Sequence, residues 1–319
     1  MKNKIKKVLY LKNILFFDII FTVGGINMLY TIKSNNLEVT IESVGAEIKS
    51  ILFDNEQRLH DSNKKYWGRS APILFPNIGK FKNDITNIKG KDYLLPKHGF
   101  LRDTEMEVVK QNDYSISFSL KSNESTKSVY PFDFELIINY TLINNRLESS
   151  ILVKNTSNEV MPFNFGLHPA FKVPLYNDKF EDYHLEFSNK KTYHTPSVDL
   201  TTGTIDFNKV FRTFENLSRL DLNYQDYDFD AIVLNDINFD NILLKKQDKT
   251  LLSFTFNGFN SLGIWTPNNN VFANFICLEP WHGCADPSDH DGIYEHKKDI
   301  INLNVGDSKL FTYSFEFYK

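Results

Sequence analysis

The stretch Phe134-Glu135-Leu136-Ile137-Ile138-Asn139-Tyr140-Thr141-Leu142 puts an apolar side chain at every second position. Phe134, Leu136, Ile138, Tyr140 and Leu142 face one way, with Glu135, Asn139 and Thr141 opposite them. That is the pattern of a strand with one face on a core and the other turned outward. The same period of two recurs on either side. Leu37, Val39 and Ile41 carry it upstream, and Ile116, Phe118 and Leu120 alternate with serines. Leu252, Phe254 and Phe256 repeat it downstream, as do Phe311, Tyr313, Phe315 and Phe317. Turn chemistry at 121–126 and at Asn144-Asn145 separates the runs. Helical periodicity is nearly missing, and 216–221 is the best short helix candidate. Strands in succession without intervening helices predict packed antiparallel sheets and no parallel βαβ core. No Pro-rich linker, charge block or internal repeat divides the chain. The expected fold class is all-β: a large single-domain antiparallel β-sandwich over about 28–319, with a concave sheet face open to a ligand.

The 319 residues are 41% hydrophobic and 24% charged, a composition that folds. A net charge of −4 gives no broad electrostatic footprint for nucleic acid. Cys277 and Cys284 are too few for a disulfide framework or a four-thiolate zinc site, so a reduced, cytoplasmic setting is expected. Residues 1–27 read differently from the rest. Lys2, Lys4, Lys6 and Lys7 precede an apolar run, but Lys12 and Asp18 interrupt it and no small-x-small cleavage site follows. A membrane helix needs about 20 consecutive apolar residues, which this run lacks. The codons for Gly24-Gly25-Ile26-Asn27 can hold a GGAGG ribosome-binding sequence before Met28. Residues 1–27 are therefore expected to be translated leader, with a loosely ordered extension or an export segment as the alternatives.

Nucleotide and metalloprotease signatures are missing: there is no GxxxxGK[ST], no GxGxxG after a strand, no HExxH and no GxSxG. Polar residues of interest lie instead in apolar or Pro-bounded segments. In residues 66–79, Arg69 is either a surface arginine at a strand entrance or a guanidinium fork aimed into a pocket. His98, followed by Gly99, is either an exposed loop histidine or a side chain projected into a cleft. His168 is enclosed by apolar residues and fixed by Pro169, which makes it a satisfied core group or a tuned acid. Glu279 ends an apolar strand, which is costly unless the carboxylate is paired or functional. Trp281 adds a flat face suited to sugar C–H groups. Asp230 is the pocket candidate of its acidic patch, with Asp228 one alternation away. Asp286, Asp289, His290 and Asp291 imitate part of a calcium loop without its spacing and are expected to form an exposed turn.

Taken in order, APILFPNIG at 71–79, KHGFLRD at 97–103, FGLHPAF at 165–171 and CLEPWHG at 277–283 resemble the aldose 1-epimerase (galactose mutarotase) superfamily. The resemblance is nearest to its bacterial branch associated with lactose operons and runs through nearly the whole chain after Met28. It implies a galactose mutarotase-type sandwich that interconverts the α and β anomers of a hexose, with neither cofactor nor metal. Carried onto this sequence, Glu279 would take the proton from the O1 hydroxyl and His168 would protonate the ring oxygen O5. His98 would hold the ring-oxygen region, and Arg69, Asp230 and Trp281 would bind the sugar. The two catalytic groups are expected to face each other across a gap one pyranose wide, His168 near its ordinary pKa and Glu279 raised, both poised near neutral pH.

One departure concerns substrate. The family's Gly-Arg-x-x-Asn-Arg stretch is replaced here by Gly79-Lys80-Phe81-Lys82-Asn83-Asp84, without the second arginine. Lys80, Lys82 and Lys97 leave open a hexose-6-phosphate mutarotase. A non-catalytic carbohydrate-binding protein on the same scaffold is the alternative of a different class. The partner expected is a small-molecule sugar, with no nucleic acid or membrane, acting on a monomer or homodimer.

Overall fold

A computed structural model describes residues 28–268 and 272–319, so the leader expected at 1–27 lies outside the described residues. The strand read first, Phe134–Ile143, alternates buried and half-buried residues along its whole length. It pairs with Arg146–Asn155 through the two-residue turn at Asn144-Asn145, where Asn144 takes a positive φ of 56°. Such a turn matches the twist of its flanking strands, and asparagine is among the residues that tolerate it. These two strands lie within a nine-stranded sheet. Its order is Ile205–Asp221, Tyr183–Val198, Asn241–Lys246, Lys249–Asn257, Ser308–Phe317, Arg146–Asn155, Phe134–Ile143, Ser115–Lys121 and Glu107–Gln111.

A second sheet runs Ile232–Asn235, Ser261–Trp265, Phe275–His282, Phe165–Leu167 and Ile73–Leu74, with Ala170–Lys172 also pairing to Phe275–His282. Every strand pair named here is antiparallel. The sheets are joined by a continuous apolar core. Phe165 stacks on Phe311 at 4.3 Å between ring centroids, and Phe171 meets Phe315 edge-on at 4.9 Å. Burying each such side chain contributes about 1.5–3 kcal/mol, and its geometry holds one sheet over the other. The predicted all-β sandwich is the fold observed.

The core takes only one face of the second sheet. On Phe275–His282, Ile276 and Leu278 point into that core. Phe275, Cys277, Glu279 and Trp281, on the opposite face, are buried as well. A strand covered on both faces explains why this segment reads as a continuous apolar run.

Two local expectations are corrected. The helix candidate at 216–221 is the end of the long strand Ile205–Asp221, where pairing with Tyr183–Val198 overrides a weak local preference. The expected exposed turn at 286–291 is partly interior. Asp286 is fully buried, 2.5 Å from the buried ammonium of Lys297, and accepts from the Lys82 N–H at 3.0 Å. Burial of the carboxylate is offset by these partners. Among the described residues, no helix is long and apolar enough to cross a membrane.

Candidate active site

Register brings the two central residues together. Gly166 pairs with Trp281 and Ala170 with Cys277 on the same strand, with the same offset. His168, midway between the two pairs, therefore falls opposite Glu279. Pro169 has no N–H to give the ladder, while its carbonyl accepts from Leu278 N–H at 3.2 Å and His168 N–H donates to the Pro72 carbonyl at 3.1 Å. The result is a 3.2 Å contact between His168 Nε2 and Glu279 Oε2, with both residues buried. This corrects the expectation of a pyranose-wide gap: the two groups touch and face the cavity side by side.

Aromatic rings enclose the pair. The His168 ring stacks on Trp67 at 4.5 Å, with Trp265 edge-on at 6.0 Å and His98 edge-on at 5.7 Å. Burial, reinforced by the charges of Lys97, Arg102 and Arg69, lowers the His168 pKa to about 3. Burial also raises Glu279 well above the carboxylate range, and the charge of Asp230 adds to it. His168 is thus not near its ordinary pKa, as had been expected; exclusion from water drives both groups toward neutrality. An acid–imidazole pair and a carboxylate–imidazolium pair contain the same number of protons. The pair therefore holds one transferable proton, and across 3.2 Å either end can carry it.

His98 is fixed by the backbone. Its Nδ1 accepts from Gly79 N–H at 3.1 Å, while its own N–H donates to the Gly79 carbonyl at 2.9 Å. An accepting Nδ1 leaves the proton of the neutral ring on Nε2, and burial keeps the ring neutral. The glycine after it is obligatory: at φ +73°, a Cβ on Gly99 would lie 2.1 Å from the Phe75 carbonyl oxygen. Tyr294 anchors the same segment by donating to the Pro76 carbonyl at 2.7 Å.

These residues line a cavity of about 250 Å³. Ligand pockets typically span about 300–1,000 Å³, so this one has the scale of a single sugar ring. Asp230 is on its wall with a φ of +76°, whereas Asp228 is engaged by Asn268. Trp281 also lines it, seated against two glycines: a Cβ would come within 2.8 Å of the indole at Gly166 and 2.5 Å at Gly263. Arg69 is not on the wall. Its guanidinium is held by Asp103 at 2.5 Å and donates to the Arg102 carbonyl at 3.0 Å. The arginine at the cavity is Arg102, which donates to the Lys97 carbonyl at 2.7 Å and stands beside Lys97.

Sequence reasoning passed over Arg102, Trp67 and Trp265 as site residues. The first two lie inside segments already marked as unusual; Trp265 has no local signal. Val198, Gly203 and Ile205, from the tip of the long hairpin, complete the wall. Backbone bonds tie that tip to the Asp286 carbonyl and the Ser288 N–H, both at 2.9 Å. A wider depression of about 350 Å³ on the outer face of the nine-stranded sheet is lined by Asn139, Ser150, Thr255 and Thr312. Its charged pair, Arg146 and Glu148, lies 3.3 Å apart, and no acid–base pair of the kind at 168 and 279 faces it.

The sequence pattern of the family described as Aldose 1-epimerase matches residues 28–297. Protein LacX (chromosomal) of Lactococcus lactis subsp. lactis is 32% identical over 295 residues, covering 90% of this chain and 98% of that protein. A galactose mutarotase related enzyme from Lactobacillus acidophilus superposes with a TM-score of 0.85 at 33% identity, over 92% of this chain and 98% of its own. A galactose mutarotase-like protein from Lactobacillus casei gives 0.81 at 28% identity, over 91% and 100%. With its two-sheet sandwich and the buried imidazole–carboxyl pair at one cavity, the chain belongs to the aldose 1-epimerase superfamily, in the lactose-operon-associated branch that includes LacX.

Proposed function

We propose that the protein is a cofactor-independent mutarotase that interconverts the α and β anomers of a hexose by acid–base ring opening. One observation carries the reading: His168 and Glu279 touch, buried, at a cavity sized for one sugar. The two oxygens that must exchange protons, O1 and O5, are bonded to the same carbon. Two catalytic groups side by side therefore suit them better than groups a ring apart. From the carboxylate–imidazolium form of the pair, Glu279 takes the O1 proton as the C1–O5 bond breaks and His168 gives its proton to O5, which yields the open-chain aldehyde and returns the pair to its acid–imidazole form. Rotation about C1–C2 and the reverse transfers close the ring on the other face. Each positioned proton transfer is worth about 10²–10⁴ in rate. The Nε2–H of His98 donates to the ring-oxygen region, and Asp230 and Arg102 bind hydroxyls.

Lys97 supports a second reading, in which the hexose carries a phosphate. Its side chain is exposed at the cavity beside Arg102 and makes no ion pair among the described residues. Lys80 is less suited, being paired with Asp84 at 3.0 Å, and Lys82 reaches toward the His290 carbonyl. Polarimetry of freshly dissolved α-glucose, α-galactose and their 6-phosphates tests both readings. Acceleration above buffer for at least one sugar is expected, and preference for a phosphorylated member selects the second. Calorimetric binding without any acceleration favours a carbohydrate-binding protein instead.

A further inference from the structure

Cys277 has no part in the mechanism above, yet it lies beside both groups that do. Its sulfur, one ring nitrogen of His168 and one carboxyl oxygen of Glu279 all lie within 4.8 Å of one another, and all three residues are buried. Strand geometry is the cause. Cys277 and Glu279 are two residues apart on one face of Phe275–His282, and His168 stands opposite Glu279 across the register.

A buried cysteine is ordinarily a small hydrophobe. Here the sulfur lies beside an imidazole and a carboxyl instead, and the Nδ1 of His168 is buried without a hydrogen-bond partner. Imidazole, thiolate and carboxylate are the donors of catalytic-type zinc sites, which use three protein ligands and leave one position open. Bonds of about 2.0–2.2 Å to nitrogen and oxygen and about 2.3 Å to sulfur set tetrahedral edges of roughly 3.3–3.8 Å. The His168–Glu279 edge, at 3.2 Å, is already close to that length. Thiolate selects zinc-class ions over magnesium or calcium, and the cavity lined by His168 and Glu279 supplies the entry path and the open position.

We propose that His168, Cys277 and Glu279 form a binding site for a thiophilic divalent cation of the zinc class, and that an ion bound there switches off proton transfer. Binding releases two protons to solvent, one from the thiol and the one that the His168–Glu279 pair holds, and occupies the groups that would serve O1 and O5. The switching half rests on the mutarotase reading; the binding half does not.

Cobalt(II) added to chelator-treated protein provides a direct readout. At one equivalent it should give a thiolate-to-cobalt charge-transfer band that zinc displaces. The band should vanish in Cys277→Ala and Cys277→Ser and persist in Cys284→Ala. Zinc should slow wild-type mutarotation, and Cys277→Ala should weaken that inhibition about tenfold or more while keeping its metal-free activity. No band in the wild type, or a band surviving in both Cys277 variants, overturns the site. A Cys277-dependent band with zinc-insensitive mutarotation overturns the switch. A Cys277-dependent band in a protein that accelerates no sugar supports the site and refutes the enzymatic reading.

Discussion

At 2% exposure, Glu279 has its carboxyl beside an imidazole and within the influence of Asp230, and water cannot stabilise its charge. His168 is neutral for the same reason and takes up a further proton only near pH 3. The pH dependence of kcat/KM reports the free enzyme's groups. Adding a second proton to the pair requires acid well below neutrality, and removing the only transferable one requires pH above the raised Glu279 value. A plateau in kcat/KM is therefore expected, with less than about a threefold change between about pH 5 and 7. Polarimetric rates falling steeply below about pH 6.5, the ordinary histidine value, would contradict this. Four of the residues singled out by motif, His98, His168, Asp230 and Glu279, lie at one cavity together with Trp281. Arg69 does not, and no local feature separates it from Arg102: the fold holds the Arg69 guanidinium against Glu47, Asp103 and the Arg102 carbonyl. Arg102→Ala should therefore raise KM by about tenfold, the equivalent of one polar contact of about 1.4 kcal/mol. Arg69→Ala should chiefly lower the melting temperature. Equal KM effects in the two variants would remove Arg102 from the site.

The strand Phe275–His282 does three things at once: it closes the core through Ile276 and Leu278, presents Glu279, and seats Trp281 over glycines in both neighbouring strands. Its burial on two faces was legible in its apolar run. The partner strand was not, because register is set by long-range pairing that no short segment encodes. The clearest test at this scale is Gly263→Ala. Its new Cβ would meet the indole at 2.5 Å, so Trp281 must shift, and overpacking of this kind costs about 1–3 kcal/mol. A lowered urea midpoint together with reduced mutarotation is expected; unchanged values for both would mean that the indole's seat does not matter. Alternation was an accurate guide where one face is turned outward, as in Phe134–Ile143. It failed at 216–221, within the outermost strand of the nine-stranded sheet, where polar residues outnumber apolar ones.

Across the molecule, the sandwich was legible because its strands carry the period of two and its core is unusually aromatic. The polar interior was not. Asp286 with Lys297, and the buried histidines, depend on contacts between distant segments. Burial lowers the pKa of His60, His98, His168 and His282. Each folded value lies below about 6.5, the value for an unfolded chain, so the unfolded state binds more protons as the pH drops. The stabilisation these residues provide is complete above about pH 6.5 and is lost as pH falls toward their folded values. Glu279 acts in the opposite sense, its contribution being complete below its unfolded value and lost as pH rises through the raised one. With four histidines against one carboxyl, the urea midpoint should fall between about pH 7.5 and 5. A constant or rising midpoint would mean that these imidazoles are protonated inside the fold.

The account stands on the proton exchanged between positions 168 and 279. Its most direct test is the rate of mutarotation of the best sugar by wild type and Glu279→Gln, the variant's circular dichroism and melting temperature being checked in parallel. Glutamine keeps the shape and cannot exchange the proton, so the catalysed rate should drop by about 10²-fold or more with the fold intact. A folded Glu279→Gln variant that equilibrates the anomers as fast as wild type would contradict the claim.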